Sequence, residues 1–414
     1  MSREMKYSGI PWIGDIPKGW KVSRLKHLAT DKDSLIIDGD WIESNVIEAS
    51  GIRYLTTGNV GDGVFKEQGQ GYISQETFNA LNCTMVYAGD LVFSRLNYPM
   101  GRSCIIPEKY ERCVVAVDNV IFRPNKDVSR RYLMYVSMCT GFQNENALIA
   151  RGATMQRMSR SQLVRVFVPI PDRDTQQRIA EFLDRKCAEV DEMIALQEQI
   201  IEELKAYKQS VITEAVTKGL NPAAPMRDSG IEWIGQIPEH WEVARLKFYA
   251  SIDSGDAISN EQIDRDGEYP VFGGGEIMGY YSQYNTDEDK LIIGRVGARC
   301  GCVTMPKQKC WASDNALVLK SCLPLKYTYH LLQAINLNRL NTSNAQPLIT
   351  ATKVKNVFIP LTPPTEQQAI ADYLDEKCAD IDSLIQTKQS KIDILKEYKK
   401  SIIYEYVTGK REVE

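Results

Sequence analysis

Arginines follow two similar apolar stretches, one in each half of the chain. The first stretch reads LVFSRLNYPMGRS and the second reads LIIGRVGARCG. Each predicts a strand with an arginine at its end, Arg95 or Arg295, and a further arginine in the glycine-containing turn that follows, Arg102 or Arg299. A guanidinium presents a planar fork of N–H donors that pairs with phosphate oxygens or with the edge of a guanine. The pattern favours a surface that binds phosphates or bases.

A polar loop later in each half could contribute to the same chemistry. These loops read RGATMQRMSRSQL and NTSNAQPLITATKV, and they can offer amides and guanidiniums to base edges. The candidate contact residues outside the strand ends are Arg151, Gln156, Arg157, Arg160, Lys307, Asn344 and Gln346. Each half also has an Asp-Asn pair before an apolar strand, Asp118-Asn119 and Asp314-Asn315, which is as typical of a turn as of a contact.

The distribution of charge supports phosphate contact, although the net charge of −4 taken alone does not. Residues 92–165 contain 12 Lys and Arg against 5 Asp and Glu, a local balance of +7. Residues 292–355 contain 9 against 1, a balance of +8. One basic patch can simply be a solvated face, but two patches at equivalent places indicate contact with a polyanion.

Composition bounds the remaining possibilities. At 414 residues the chain predicts two or three domains. No apolar run approaches the ~18 residues of a membrane span, and the start MSREMKYSG has no signal-peptide core, so we expect a cytoplasmic protein without a membrane partner. Ten scattered cysteines fit a reducing compartment. Cys300, Cys302, Cys310 and Cys322 could in principle hold zinc, but no C-x-x-C pair is present and incidental thiols are favoured.

The chain is an internal duplication. SGIPWIGDIPKGWKVSRLK, from Ser8, returns as SGIEWIGQIPEHWEVARLK from Ser229. A second passage, from Val166, returns from Val357 without gaps, so each half has a similar opening, a dissimilar middle and a similar closing segment. The repeated tryptophans Trp12, Trp20, Trp233 and Trp241 are interpreted as packing anchors rather than as base-stacking residues.

Each closing segment predicts a helix of about 40 residues, or ~60 Å at 1.5 Å per residue. Apolar residues recur at alternating four- and three-residue steps, which is a heptad seam. Prolines lie just upstream, and Asp174 and Thr365 are the predicted N-caps. Each seam could pack on its own domain, but we favour the two seams packing on each other as an antiparallel pair. The predicted seam residues are Leu183, Val190, Ile194, Ile201 and Leu204 in the first copy and Leu374, Ile381, Ile385, Ile392 and Leu395 in the second.

Three stretches could suggest catalysis. NPAAP at Asn221 lacks the second proline and the aromatic residue of an amino-methyltransferase motif. FGGGEIMGYY, from Phe272, lacks the Lys-Ser/Thr and the following helix of a P-loop, so a turn between strands is favoured. Glu288-Asp289-Lys290 forms a nuclease-like E-x-K, but no acidic partner is evident upstream. None of these stretches is a strong catalytic candidate.

The duplicated motifs give the chain a resemblance that covers nearly its whole length. Two copies of W-I-G-x-I-P-x-x-W-x-V-x-R-L-K are each followed by a variable region and then by V-x-[IV]-P-[IL]…Q-Q-x-I-A-x-[FY]-L-D-x-K. This order resembles the specificity subunits of type I restriction–modification systems. The first copy departs slightly, since PDRDTQQ stands where the second has PPTEQQ.

The resemblance implies an α+β fold with a pseudo-twofold internal repeat, in which two mixed α/β target-recognition domains are joined by two long antiparallel coiled-coil helices. The implied bounds are residues 1–165 and 228–355 for the domains and 172–219 and 365–411 for the helices. It also implies a subunit without an active site or cofactor, which reads a bipartite asymmetric target in double-stranded DNA. The implied partners are two methyltransferase subunits and restriction/translocase subunits, which would hold S-adenosylmethionine, ATP and Mg. A coiled-coil scaffold that binds proteins instead of DNA is the alternative.

Overall fold

The computed structural model describes residues 3–152, 155–341 and 347–413. The chain divides into two compact units, residues 1–196 with 391–414 and residues 197–390. Each unit therefore contains one of the two divergent middles and parts of both long helices. The sequence-predicted contact residues Asn344 and Gln346 lie outside the described residues.

The first unit contains twelve strands among the residues described. In chain order they are β1 (Met5–Tyr7), β2 (Asp15–Pro17), β3 (Lys21–Arg24), β4 (Leu35–Asp38), β5 (Ile52–Leu55), β6 (Gly71–Ile73), β7 (Val86–Tyr87), β8 (Leu91–Ser94), β9 (Ser103–Ile105), β10 (Arg112–Val115), β11 (Asn119–Arg123) and β12 (Phe167–Ile170). The helices of this half are α1 (Gln75–Ala80), α2 (Arg130–Ser137), α3 (Thr140–Ile149), α4 (Arg160–Leu163) and the long α5 (Arg173–Lys218).

The second half of the chain repeats this plan with fewer elements. Its strands are β13 (Met226–Asp228), β14 (Gln236–Pro238), β15 (Glu242–Arg245), β16 (Ala250–Ser254), β17 (Tyr269–Phe272), β18 (Ile277–Tyr281), β19 (Leu291–Gly294), β20 (Val303–Thr304), β21 (Trp311–Ala312), β22 (Ala316–Ser321) and β23 (Phe358–Leu361). Its helices are α6 (Leu325–Ile335), α7 (Ala351–Lys355) and the long α8 (Pro364–Val407).

The divergent middles share one sheet topology. The first has an antiparallel sheet of order β4-β11-β8-β9, and the second has β16-β22-β19-β20. A second sheet in each contains one parallel pair, β5 with β10 and β17 with β21. The first pair is flanked by the antiparallel strands β6 and β7, and the second by the antiparallel strand β18. The middles therefore share the order of their main antiparallel sheet despite their different sequences.

Glycines at matching positions show how closely the two backbones agree. Gly39 follows β4 and Gly255 follows β16, and a Cβ at either would clash with backbone carbonyls, those of Val115 and Ala116 or of Ala312 and Ser313. The chain must lack a side chain at this point to cross from one sheet to the other.

The long helices run antiparallel within each unit. In the first unit, Leu183 and Cys187 of α5 share a core with Ile402, Ile403 and Val407 of α8. In the second unit, Ala215 and Val216 of α5 share a core with Ile370, Ala371 and Leu374 of α8. Both clusters also contain side chains of the domains. At the helix ends, the seams therefore pack on each other and on the domains, so the two predicted packing modes occur together.

The predicted seam residues differ in burial. Six are buried and four are partly exposed; the buried ones are Leu183, Val190, Ile201, Leu374, Ile381 and Ile392, and the partly exposed ones are Ile194, Leu204, Ile385 and Leu395. Trp20 and Trp241 are only 3% and 1% exposed, so they are core residues as predicted.

Both predicted N-caps are wrong. The first long helix begins at Arg173, and its cap is Asp172, whose carboxylate accepts from the backbone N and hydroxyl of Thr175 at 2.9 and 2.8 Å. These hydrogen bonds hold the pKa of Asp172 below its usual value. The second long helix begins at Pro364, since proline is well suited to the first helical position, and Thr365 lies inside the helix.

Candidate nucleic-acid interface

Arg95 lies inside the first domain, at the edge where β4 and β8 end and β11 begins. Its side chain is 9% exposed, and its Nη2 lies 3.0 Å from Asp38 Oδ1 and 3.9 Å from Asp118 Oδ1. It also donates to the carbonyls of Met158 and Val117, both at 2.7 Å. These partners leave Arg95 little capacity for an external ligand. The predicted contact of Arg95 with DNA is not tested by the structure, in which Arg95 is a buried residue with internal partners.

The two carboxylates that hold Arg95 also hold exposed arginines. Asp118 Oδ2 accepts from Arg157 Nη2 at 2.5 Å, and Asp38 Oδ2 lies 3.6 Å from Arg160 Nε. The hydrogen bond to Asp118 raises the pKa of Arg157. The side chains of Arg157 and Arg160 are 53% and 41% exposed, so both guanidiniums are presented at the surface. We call these five residues the Arg95 network.

Arg102 is committed to the backbone of the turn in which it lies. Its guanidinium donates to the carbonyls of Val60, Leu96, Asn97 and Thr57, at 2.7, 2.7, 3.1 and 3.3 Å. Burial lowers the pKa of Arg102. Its contact with DNA stays a prediction, while its observed partners are backbone carbonyls of the domain.

Arg151 and Gln156 are exposed beside the Arg95 network. The backbones of Arg151 and Arg157 exchange hydrogen bonds of 2.9 and 2.8 Å, and the Gln156 carbonyl accepts from Asn97 N at 2.8 Å. These bonds hold the backbones of Arg151, Gln156 and Arg157, while the side chains of Arg151 and Gln156 are exposed.

Two exposed aromatic residues of this surface were missed by the sequence reasoning. Trp41 is 69% exposed and follows β4 by three residues, and Tyr98 is 55% exposed in the turn after Arg95. Stacking on such side chains is a common mode of base contact. Each lies within four residues of a strand end, Asp38 for Trp41 and Ser94 for Tyr98. This position is the feature of the sequence that could have identified them.

The equivalent edge of the second domain is built differently. Arg295 is partly exposed, and its Nη1 makes only long contacts, 3.4 Å to Ser254 Oγ and 3.3 Å to the Asp314 carbonyl. Within residues 155–341 and 347–413, it forms no ion pair. Arg299 Nη1 lies 2.8 Å from Glu276 Oε1, and this bond raises the pKa of Arg299. Lys307 is exposed.

Comparison with known proteins decides the family. The model of the type I restriction modification DNA specificity domain matches residues 17–206 and again residues 238–403. The chain belongs to this family. The two matches coincide with the two copies of the repeat, so the duplicated specificity-domain architecture accounts for most of the chain.

Relatives in the specificity-domain family match over very different lengths. The chain is 26% identical to the putative type I restriction enzyme MjaX specificity subunit of Methanocaldococcus jannaschii, over 96% of this chain and 95% of that protein. It is 34% identical to the type I restriction enzyme EcoprrI specificity subunit of Escherichia coli, over 30% of this chain and 32% of that protein.

Solved structures support the specificity-domain fold. A chain from a structure that describes complex assembly and conformational transition of the type I R-M system has a TM-score of 0.73, with 16% identity over 96% of this chain and 99% of that one. The HsdS subunit from Thermoanaerobacter tengcongensis has a TM-score of 0.51, with 17% identity over 96% of this chain and 98% of that one.

The long helices of this specificity-domain protein carry a second repeated surface. With the seam residues at heptad positions a and d, Met193, Tyr207, Leu384 and Tyr398 all occupy position g. They are 49%, 59%, 50% and 49% exposed. Met193 and Tyr398 belong to the first unit, and Leu384 and Tyr207 are their equivalents in the second. We call these four residues the g-position surface.

The stretches that could suggest catalysis take structural roles in the described chain. FGGGEIMGYY forms the end of β17, a turn and β18, with no helix after it, as predicted. Lys290 lies 3.5 Å from Asp287 at the start of β19. In the part of the chain that the structure describes, no group of three or more His, Cys, Asp or Glu could hold a metal ion, and Cys302 and Cys322 are exposed while Cys300 and Cys310 are buried.

No helix among the described residues is long and apolar enough to cross a membrane.

Proposed function

We propose that this chain is the DNA sequence-recognition subunit of a type I restriction–modification complex, without an active site of its own. It reads a bipartite, asymmetric target in double-stranded DNA, with one domain for each half-site. One observation carries this proposal: equivalent edges of the two domains present different side chains. These edges lie where β4 and β8 end in the first domain and where β16 and β19 end in the second. The backbones agree there, while the first domain presents the Arg95 network and the second presents Arg295.

Duplication followed by divergence explains why this arrangement suits an asymmetric target. Two unlike half-sites need two unlike sets of side chains, whereas two identical partner subunits need two like docking surfaces. The local charge balances of +7 and +8 from residues 92–165 and 292–355 lie in the divergent middles. Because phosphate contact provides most of the affinity of proteins for DNA, these middles are the DNA-binding parts of the chain.

The g-position surface supports recruitment of two identical methyltransferase subunits. Exposed apolar side chains on a helix fit a partner helix, and this chain offers the same pair twice, as Met193 with Tyr398 and as Leu384 with Tyr207. Restriction/translocase subunits join the complex, and S-adenosylmethionine, ATP and Mg bind to the partner subunits. We place the complex in the cytoplasm, where these partners meet chromosomal DNA.

Methylome sequencing tests the proposal. A host strain that lacks other methyltransferases is given this gene with its methyltransferase partner, and the methylated motif is read. We expect a motif with two unlike half-sites separated by an unread spacer. Exchange of residues 252–353 for those of a relative should change one half-site and leave the other unchanged. An unmethylated genome, with the assembled complex present, contradicts the proposal.

Salt dependence separates DNA recognition from a protein scaffold. The affinity of the assembled complex for its target should fall steeply between 50 and 200 mM salt, because several phosphates are neutralised. An assembled complex that does not bind DNA at low salt would show that the basic surfaces serve a protein scaffold instead.

A further inference from the structure

Arg95 and Arg295 are structural equivalents. Each directly follows a strand, β8 or β19, and its backbone N donates to the carbonyl of the residue just before the neighbouring strand, Asp118 at 2.8 Å or Asn315 at 3.0 Å. Each also accepts through its own carbonyl from the later polar loop, from Met158 N at 3.1 Å or Ile349 N at 3.0 Å. The two arginines therefore start from the same backbone frame.

The same backbone frame identifies what replaced the Arg95 network in the second domain. Asp38 and Ser254 are the last residues of β4 and β16, and Asp118 is matched by Asn315. Leu348 bridges Val296 as Arg157 bridges Leu96. Ala351 begins α7 after the cap Thr350, as Arg160 begins α4 after the cap Ser159.

The five matched positions carry the same net charge in both domains, but the charges are distributed differently. In the first domain, three arginines and two carboxylates leave a net charge of +1, and the cation nearest the interior is sealed by acceptors at 2.7–3.0 Å. At the five matched positions of the second domain, neither the two carboxylates nor the two outer arginines are kept, and the one charged residue is Arg295. The adjacent Asp314 contacts Arg295 through its backbone carbonyl. The Nη1 of Arg295 makes contacts of 3.3 and 3.4 Å and its Nε is buried, whereas its Nη2 has no hydrogen-bond partner among the described residues.

These two arrangements suit different tasks. Asp118 and Asp38 each link Arg95 to an outer arginine, so the outer guanidiniums are held in defined orientations before a ligand arrives. Preorganised donors lose less conformational entropy on binding. Arg295 is not held by carboxylates within the described residues, so its own guanidinium is free to form the forked contact that phosphate or guanine accepts.

We propose that Arg95 is a positioning residue that orients Arg157 and Arg160 towards the first half-site, whereas Arg295 itself contacts the DNA of the second half-site. This inference rests on the proposed function. It assigns different roles to one arginine position in the two domains, so equivalent substitutions have different effects on the two half-sites.

The test uses the full chain in complex with its methyltransferase partner and four DNA duplexes. One carries the methylome-derived target, one has the first half-site scrambled, one has the second scrambled, and one has both scrambled. The measured quantity is the ratio of Kd values for scrambled and intact DNA at each half-site. R157M should lower the ratio for the first half-site about tenfold and leave the second unchanged. R295M should weaken binding of the intact target about tenfold, with little further loss when the second half-site is scrambled.

The variant D38S/D118N distinguishes positioning from simple charge. It gives the first domain the side chains of the second while keeping Arg95, Arg157 and Arg160. We expect a lower ratio at the first half-site, together with tighter binding to DNA that lacks both half-sites, because two negative charges are gone. If the double variant does not fold, D118N releases Arg157 alone and is expected to act in the same direction. Melting temperature and assembly with the methyltransferase are the folding controls.

Specific outcomes overturn the inference. An unchanged first ratio in folded D38S/D118N or D118N means that Arg95 does not act by positioning. A Kd of R295M within twofold of the unmodified chain means that Arg295 does not contact DNA. If the unmodified complex itself does not discriminate at either half-site, the proposed function fails; if it discriminates and all variants retain its ratios, only this inference fails.

Discussion

Lys399 on α8 donates to both carboxylate oxygens of Asp191 on α5, at 2.7 and 2.6 Å. The equivalent pair, Lys208 with Asp382, has both distances at 2.7 Å. Each lysine occupies a seam position that would otherwise be apolar. Each ion pair therefore joins one defined position of α5 to one defined position of α8. Polar residues at single seam positions are a known means of fixing register.

Reversing these charges tests their role in register. We expect K399E to lower the free energy of unfolding by about 1 kcal/mol, because it places two carboxylates together beside a partly buried seam. The double variant D191K/K399E should recover most of this loss. The measurement is urea unfolding of the full chain followed by circular dichroism.

The neighbouring pair Lys400–Glu397 provides a matched control. It has the same 2.7 Å separation but lies within one helix, with side chains 57% and 72% exposed. K400E should change the free energy of unfolding by less than about 0.5 kcal/mol. Equal losses in K399E and K400E would show that the pair between the helices has no special role.

Asp375 on α8 anchors the second domain through α6. Its oxygens lie 2.6 Å from Lys326 Nζ and 2.9 Å from His330 Nε2, and His330 is 2% exposed. Burial acts to raise the pKa of Asp375, but the hydrogen bonds from Lys326 and His330 outweigh it, so the pKa is lowered. A carboxyl with a lowered folded-state pKa stabilises the fold above its unfolded-state pKa, and this stability is lost as pH falls through the folded value.

Because the pKa of Asp375 is lowered, its charged carboxylate stabilises the fold at neutral pH. At pH 7, D375N should lower stability by about 1–2 kcal/mol, allowing for the partial exposure of the carboxylate. The difference between D375N and the unmodified chain should begin to shrink as the pH falls below about 4, the ordinary pKa of a free aspartate, and should shrink further as the pH falls through the lowered pKa of folded Asp375. Thermal unfolding over pH 3–7 measures it. A difference that stays constant across this range would mean that the charge of Asp375 is irrelevant.

Trp41 should report on the first half-site. It is 69% exposed, whereas the other five tryptophans are buried or partly buried, so it should dominate the fluorescence that acrylamide quenches. Target DNA should protect this fluorescence in the complex, and scrambling the first half-site should reduce the protection. W41F should lack the protected component. The same protection in W41F would place the DNA elsewhere.

The sequence predicted the repeated parts of the fold well because repetition makes a pattern visible. The openings, the long helices and the buried tryptophans Trp20 and Trp241 all lie in passages that occur twice. The shared sheet order of the divergent middles was not predicted. Strand pairing there is set by contacts between residues far apart in the chain, such as Val120 with Asp38 and Phe93, which no local pattern reveals.

The candidate site was predicted less well for a related reason. An arginine at a strand end looks the same in sequence whether carboxylates surround it or not. Arg95 and Arg102 were chosen for their type and spacing, yet both are used inside the domain, by Asp38 and Asp118 or by backbone carbonyls. Arg157 lies on a loop and Arg160 begins α4, and both guanidiniums are presented at the surface.

The g-position surface should control how many methyltransferase subunits bind. Y398A removes an apolar contact from the first unit and Y207A removes its equivalent from the second. Each single variant should weaken one of two binding steps about tenfold or more, and Y207A/Y398A should weaken both, since truncation of a buried interface tyrosine commonly has effects of this size. Native mass spectrometry of titrated complexes measures the stoichiometry.

Lys205 and Lys396 are equivalent to each other and occupy position e, on the other flank of the seam, so K205A/K396A is the matched control. Retention of two tightly bound subunits in Y207A/Y398A, or an equal loss in K205A/K396A, would place the docking surface elsewhere on the chain.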